Sequence, residues 1–171
     1  MKKFIVSFIF FIITNNCFAE NKIVYLDVTL LLNQSIAGQN LNKKLTEINN
    51  KNVEEFKKIE SNIKKENDDL LKKKNILSEE EYKKEITLLK EKYKSFKISM
   101  GKKNSNLNKL KDESAKMILD NINEIISEYS EKNSISMIVE KTSVVIGKSD
   151  LNITNDILEL LNKKIKKIEL Q

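Results

Sequence analysis

The chain has 171 residues, with 31 cationic against 25 acidic side chains, a formal charge of +6, a single Cys, three Gly, and no His, Pro or Trp. The missing His and the lone Cys leave no nucleophile–base pair and no His/Cys metal site, and glycines at 38, 101 and 147 are too scattered to form a phosphate-cradling loop. Every cation is Lys, and the accompanying wealth of Asn and Ile matches the output of an AT-rich genome, so the basic balance is not read as a nucleic-acid signature.

The first nineteen residues are expected to be a cleaved export signal. Lys2 and Lys3 precede a largely apolar stretch from Phe4 to Ile13, and Cys17-Phe18-Ala19 puts small side chains where a signal peptidase reads before Glu20. Ten residues fall well short of the roughly 20 that a membrane-spanning helix needs. Lipidation of Cys17 is disfavoured, because Thr14-Asn15-Asn16 lacks the Leu and small residues that precede a lipoprotein cysteine. Cleavage after Ala19 removes the only Cys and two Lys, leaving 152 residues with a charge of +4. Such an exported chain has no disulfide framework and is held together by packing or self-association.

Ile23 to Leu26 is a short β-branched apolar run ended by Asp27, which predicts a buried strand with Asp27 capping a helical turn over Thr29 to Asn33. Ser35 stands as the N-cap of a helix opening at about Ala37. Along that helix Leu41, Leu45, Ile48, Phe56, Ile59, Ile63 and Leu70 keep to steps of three and four, apart from a break near Asn52 and a polar gap at Glu66. So narrow a stripe predicts a two-helix seam rather than a helix sunk in a globular core, with a local shift of supercoil around Asn49 to Val53.

Ser78 followed three residues later by Glu81 fits a capping box, so the chain is expected to reverse near residue 77. The return helix carries Tyr82, Ile86, Leu89, Tyr93, Phe96 and Met100 in alternating steps of four and three, then Lys103, Leu107 and Leu110. A stutter is expected at Ser114, Ile118 and Ile122, and the helix is expected to end near Asn133. Ile135 to Glu140 and Ser143 to Ile146 read as two strands about a Lys141-Thr142 turn, and Thr154 as the head of a terminal amphipathic helix. The predicted fold is α+β and mostly α: a small β body of about three strands plus a C-terminal helix, with a long antiparallel coiled-coil hairpin inserted between the first and second strands. Residues 20–36 and 134–171 form the body and residues 37–133 the hairpin. A body that small is marginal alone, which predicts that copies pool their sheets into one shared core.

Paired carboxylates offer no catalysis. Asp68-Asp69 and Glu54-Glu55 are sequence neighbours on a helix and point about 100° apart, so they read as solvated surface. The hairpin's charge is uneven: Lys57 to Lys111 holds 17 Lys against 9 acids, whereas Asp112 to Lys132 holds 6 acids against 2 Lys. A single Lys reads as ordinary helix surface, but the asymmetry as a whole predicts attraction of anionic polypeptide or membrane surface.

Several segments together resemble the Skp/OmpH-like periplasmic chaperones of Gram-negative bacteria. These are the leader, Ile23-Val24-Tyr25-Leu26-Asp27-Val28 running into Leu32-Asn33-Gln34-Ser35-Ile36-Ala37-Gly38, Leu77-Ser78-Glu79-Glu80-Glu81-Tyr82 at the reversal, and Leu151-Asn152-Ile153-Thr154-Asn155-Asp156-Ile157-Leu158. Asn152 stands where relatives tend to have Asp, and Lys replaces their mixture of Arg and Lys, so no lipopolysaccharide-contacting cluster is carried over.

The resemblance implies a periplasmic homotrimer without cofactor or catalytic residues, whose tentacle-like arms hold unfolded outer-membrane proteins without ATP. Ile63, Leu70, Leu71, Ile76, Leu77, Leu88 and Phe96 are the candidate client contacts, steered by Lys64, Lys65, Lys73, Lys90 and Lys94. Ile23, Val24, Leu26, Val28, Ile138, Val139, Val144 and Ile146 are the candidate oligomerisation residues. An anionic lipid surface is a further expected partner, and nucleic acid is not. The competing expectation is a structural adaptor of the cell envelope whose hairpin docks on one folded partner.

Overall fold

The computed structural model describes residues 21–167, so the predicted leader lies outside the described residues. In chain order the elements are β1 (Lys22–Leu26), α1 (Val28–Gln34), α2 (Ile36–Lys73), α3 (Glu79–Lys132), β2 (Ile135–Glu140) and α4 (Thr154–Lys164). Two single 3₁₀ turns, Lys141–Ser143 and Ser149–Leu151, lie between β2 and α4.

Local chemistry sets each boundary. The Asp27 carboxylate accepts the Leu30 N–H at 2.8 Å and so opens α1. Ser35, fully buried, ends α1 and opens α2 by accepting the Gly38 N–H at 3.1 Å. That corner is tight: a Cβ on Gly38 would lie 1.8 Å from the Leu32 carbonyl oxygen, so only glycine fits there. At the far end the chain turns through Lys74 to Leu77. There Ser78 and Glu81 form a reciprocal capping box, Ser78 Oγ accepting the Glu81 N–H and the Glu81 carboxylate accepting the Ser78 N–H. α3 stops where Ser134 adopts φ 52°, the left-handed conformation that ends many helices.

α2 runs unbroken through Asn49 to Val53, where the sequence predicted a break in the stripe. Asn52 itself is half-buried there, so the stripe continues through a polar side chain. At roughly 1.5 Å per residue, the 38 residues of α2 reach about 57 Å and the 54 of α3 about 80 Å. The helices run in opposite directions along each other: Leu41 shares a cluster with Ile118 and Ile122, Phe56 meets Phe96, and Glu66 meets Lys92.

The sheet has two strands among the described residues, where the sequence predicted about three. β1 and β2 pair in parallel, with Val24 opposite Ile138 and Leu26 opposite Glu140. A parallel pair needs a crossover, and α2 with α3 is that crossover. Ser143 to Ile146 forms no strand, and the expected Lys141-Thr142 hairpin turn is a 3₁₀ turn instead. β-branched side chains favour a strand only where an edge receives them. The outer edge of β1 is occupied by a bridge from Asn152, with the Ile153 N–H donating to the Tyr25 carbonyl at 3.0 Å.

The core gathers Val24 and Leu26 of β1, Leu31 of α1, Ile118, Ile122 and Ile125 of α3, and Ile153, Ile157 and Leu161 about α4. It is not confined to residues 20–36 and 134–171, because Ala37 and Leu41 at the base of α2 and the last third of α3 enter it. Thr154 is the first residue of α4, as the sequence predicted, and its side chain turns away from its own helix. Its hydroxyl accepts the Asp27 N–H at 2.9 Å, while the Asn152 side-chain oxygen accepts the Thr154 N–H at 3.0 Å. The junction uses an oxygen acceptor at position 152, which the Asn carboxamide supplies.

Candidate functional site

Beyond the core, α2 and α3 form an arm with little interior. Its buried residues are Phe56, Ile63 and Phe96, supported by half-buried Ile59, Leu89 and Met100. The Phe56 and Phe96 rings meet edge to face with centroids 6.1 Å apart. Two ion pairs cross the seam, Lys92 with Glu66 and Lys103 with Glu55, and Lys103 also lies 5.9 Å from the Phe56 ring centroid. Exposed pairs of this kind contribute at most about 1 kcal/mol each, so apolar contact is the larger part of the seam's cohesion.

The candidate contact residues separate into two groups. Ile63 and Phe96 are 8 % and 6 % exposed and turned into the seam, because they fall on the three-and-four spacing that faces the other helix. They hold the arm together and are not available as surface. Leu70 and Leu77 are half-buried near the reversal. Leu71, Leu88 and Ile76 stand outward, with Ile76 80 % exposed. Lys64, Lys65, Lys73, Lys90 and Lys94 are all exposed. Tyr93 and Ile98, missed in the sequence, are exposed as well. Ile98 lies off the seam spacing, a signal that could have found it; Tyr93 lies on the spacing, so the pattern alone placed it in the seam.

Two open grooves flank the seam in this stretch. One, of 430 Å³, lies near the reversal between Leu70, Leu77, Leu88 and Leu89, with both acids and lysines at its rim. The other, of 770 Å³, runs beside Ile63, Leu89 and Tyr93. At the rim of the first, Asp69 accepts a hydrogen bond from Lys72 at 3.0 Å, and that bond and charge hold its carboxyl below the usual range. Glu81 is likewise held low, by its two hydrogen bonds from Ser78. Both carboxylates are therefore charged at neutral pH, so the reversal carries fixed acids among its lysines.

The body offers a second surface. Val24 and Leu26 face the chain's own core with Ile138, the partner of Val24, packed against it, because alternate strand residues point to opposite faces, and Val28 at the start of α1 packs against the same core. These four are spent inside one chain. Ile23 and its partner Met137 lie exposed on the other face, Val139 and Val144 are half-buried, and Val145 and Ile146 are almost wholly in solvent. Tyr25 is the covered member of that face: its ring packs on Gly147, where an added Cβ would lie 2.7 Å from Cε1. Here Tyr25 Oη donates to the Lys148 carbonyl at 3.2 Å.

Polar clasps tie the body to the bases of the long helices. Asn162 Oδ1 accepts the Ile36 N–H at 2.8 Å, so α4 satisfies a free amide at the start of α2. Lys164 pairs with Glu124 at 2.7 Å, and Tyr129 Oη donates to Asp156. That hydrogen bond, with burial and the Asp156 charge, pushes the phenol up to about 12. Among the described residues, no cluster of His, Cys, Asp or Glu could hold a metal, and no helix is long and apolar enough to cross a membrane.

A family model for outer membrane protein (OmpH-like) matches residues 22–161. No curated protein matches the sequence. The fold is similar to the crystal structure of a candidate outer membrane chaperone (OmpH-like) from Caulobacter crescentus CB15, with a TM-score of 0.82, 14 % identity, and coverage of 86 % of this chain and 88 % of that one.

Proposed function

The chain belongs to the OmpH-like outer membrane protein family, and from that premise we propose that it is an ATP-independent holdase of the periplasm that keeps unfolded outer-membrane proteins from aggregating. The observation that carries this reading is the arm itself. Leu71, Ile76, Leu88, Tyr93 and Ile98 expose large apolar side chains along α2, the reversal and α3, separated by lysines. Apolar residues scattered among cations give many weak contacts, so a client is held by avidity and not in one deep pocket.

The working form is a homotrimer. Ile23, Met137, Val144, Val145 and Ile146 form an apolar surface beside a two-stranded sheet, and sheets of two strands are marginal without a further partner. A second and third copy covering that surface would bring three arms around one space. An outer-membrane barrel strand alternates apolar and polar side chains, which suits an arm that presents both apolar and cationic groups.

The test dilutes an unfolded outer-membrane barrel out of denaturant with and without the purified protein, in the absence of nucleotide. Light scattering is expected to be suppressed at near-stoichiometric trimer, with the trimer mass read by sedimentation. Unsuppressed scattering overturns the holdase. The second reading is an envelope adaptor docking on a folded partner, for which the exposed Leu71 and Ile76 at the reversal would be the docking residues. Pull-down distinguishes the two: one stoichiometric folded protein for an adaptor, many unfolded ones for a holdase.

A further inference from the structure

We propose that the groove beside Ile63, Leu89 and Tyr93 is the seat on the arm for an extended polypeptide segment in which apolar side chains alternate with acidic ones. This rests on the holdase reading and adds to it a place and a sequence preference.

The groove lies on one flank of the seam, between α2 and α3. Its floor is Ile63 and Leu89, and Tyr93, about half exposed, forms an apolar wall with a polar tip. Lys57 and Lys64 line it from α2 and Lys90 from α3, against Glu60 alone among the carboxylates. None of these three lysines makes an ion pair among the described residues, whereas Lys72, Lys92 and Lys103 on the same arm do. The arm's paired lysines are committed to its own acids. Those at this groove are left to meet a carboxylate from elsewhere.

Shape favours an extended chain. Lys57 and Lys64 are seven residues apart, two helical turns or roughly 10 Å, which lies between the two- and four-residue repeats of extended polypeptide, about 7 and 13 Å, and within the reach of flexible Lys side chains. A segment lying along the groove can turn alternate apolar side chains onto the floor while its intervening residues reach the rims. Glutamate or aspartate at those positions meets a lysine on either side, and a lysine or arginine there meets three lysines against Glu60 alone. The groove thereby selects among segments of one unfolded client, taking those whose polar positions are acidic.

The experiment compares two fluorescent peptides of about ten residues, the length of one barrel strand, which share alternating Leu, Val and Tyr and carry either Glu or Lys between them. Three exposed ion pairs predict that the protein binds the Glu peptide about tenfold more tightly at low ionic strength, with the preference shrinking in high salt. The triple variant Lys57→Glu, Lys64→Glu, Lys90→Glu, with unchanged helical circular dichroism, is expected to invert the preference. Tyr93→Ala is expected to weaken both peptides alike. Equal binding of the two peptides, a triple variant that keeps the Glu preference, or binding of anionic phospholipid vesicles without any peptide preference overturns the groove. Suppression of barrel aggregation, measured alongside, separates the two levels. Suppression without peptide selection overturns the groove alone, and peptide selection without suppression overturns the holdase alone.

Discussion

The body and the arm are made from the same two long helices, and they differ in how many sides of each helix are covered. At the base, α3 buries Ile118, Ile122 and Ile125 in the core shared with α4, α1 and the sheet. Farther out the same helix has one neighbour and buries only Phe96. A helix covered on several sides loses its freedom and its apolar surface together. A helix with one neighbour keeps most of its surface in water, and that surface is what a client can reach.

If the body is a close-packed core, truncating its centre should unfold the whole chain. Ile157→Ala removes a fully buried side chain from the core where α4 packs on α1 and α3, and is expected to cost about 4 kcal/mol, read as a large fall in denaturation midpoint. If the arm is a thin seam, an equally drastic truncation there should cost less and stay local. Phe96→Ala is expected to cost about 2 kcal/mol, because two helices with no third neighbour can close over the lost ring. Hydrogen exchange should then quicken across Phe56 to Met100 while the amides of α4 keep their protection. A Phe96→Ala variant that loosens α4 as much as the arm would erase the distinction between the two regions.

The smallest expected effect tests how the body grips the base of the arm. Tyr129→Phe deletes the hydroxyl that binds Asp156, and should lower stability at neutral pH by about 1 kcal/mol. The folded protein holds the phenol at about 12 against a usual 10.0, so it favours the neutral, donating form. A raised folded value means that the contribution is complete below pH 10 and is lost as pH rises toward 12. The gap between wild type and Tyr129→Phe should therefore be constant from pH 7 to 9 and close over that window; a gap that persists at pH 12 would assign the effect to packing.

Much of the molecule was legible residue by residue. Asp27, Ser35 and Ser78 announced helix starts because a short polar side chain satisfies amides two or three residues away, an interaction contained within the segment itself. The spacing of Tyr82, Ile86, Leu89, Phe96 and Met100 marked the side of α3 turned toward α2, because helical period alone decides which residues share a face. Thr154 heads α4 as the sequence predicted, but the partner of its hydroxyl was not legible, because it is the Asp27 amide 127 residues away.

The candidate contact residues divide along the same line. Composition and period identified Ile63, Phe96, Leu71 and Ile76 alike as apolar residues of a lysine-rich hairpin, without separating those that close the seam from those that stay in water. In the body, the alternation of β1 settles that Val24 and Leu26 share a face, but which face meets the core depends on where α1, α3 and α4 lie.

By itself, then, the sequence determined the helix starts, the long crossover, the narrow seam and the basic outer half, since each depends on side chains within a few residues or on a running sum of charge. Only the tertiary structure decided that Ser143 to Ile146 has no strand partner among the described residues, that the bases of α2 and α3 belong to the core, and that Lys57, Lys64 and Lys90 border one apolar groove. Each of those depends on groups that meet across tens of residues, and such meetings are fixed by packing in three dimensions.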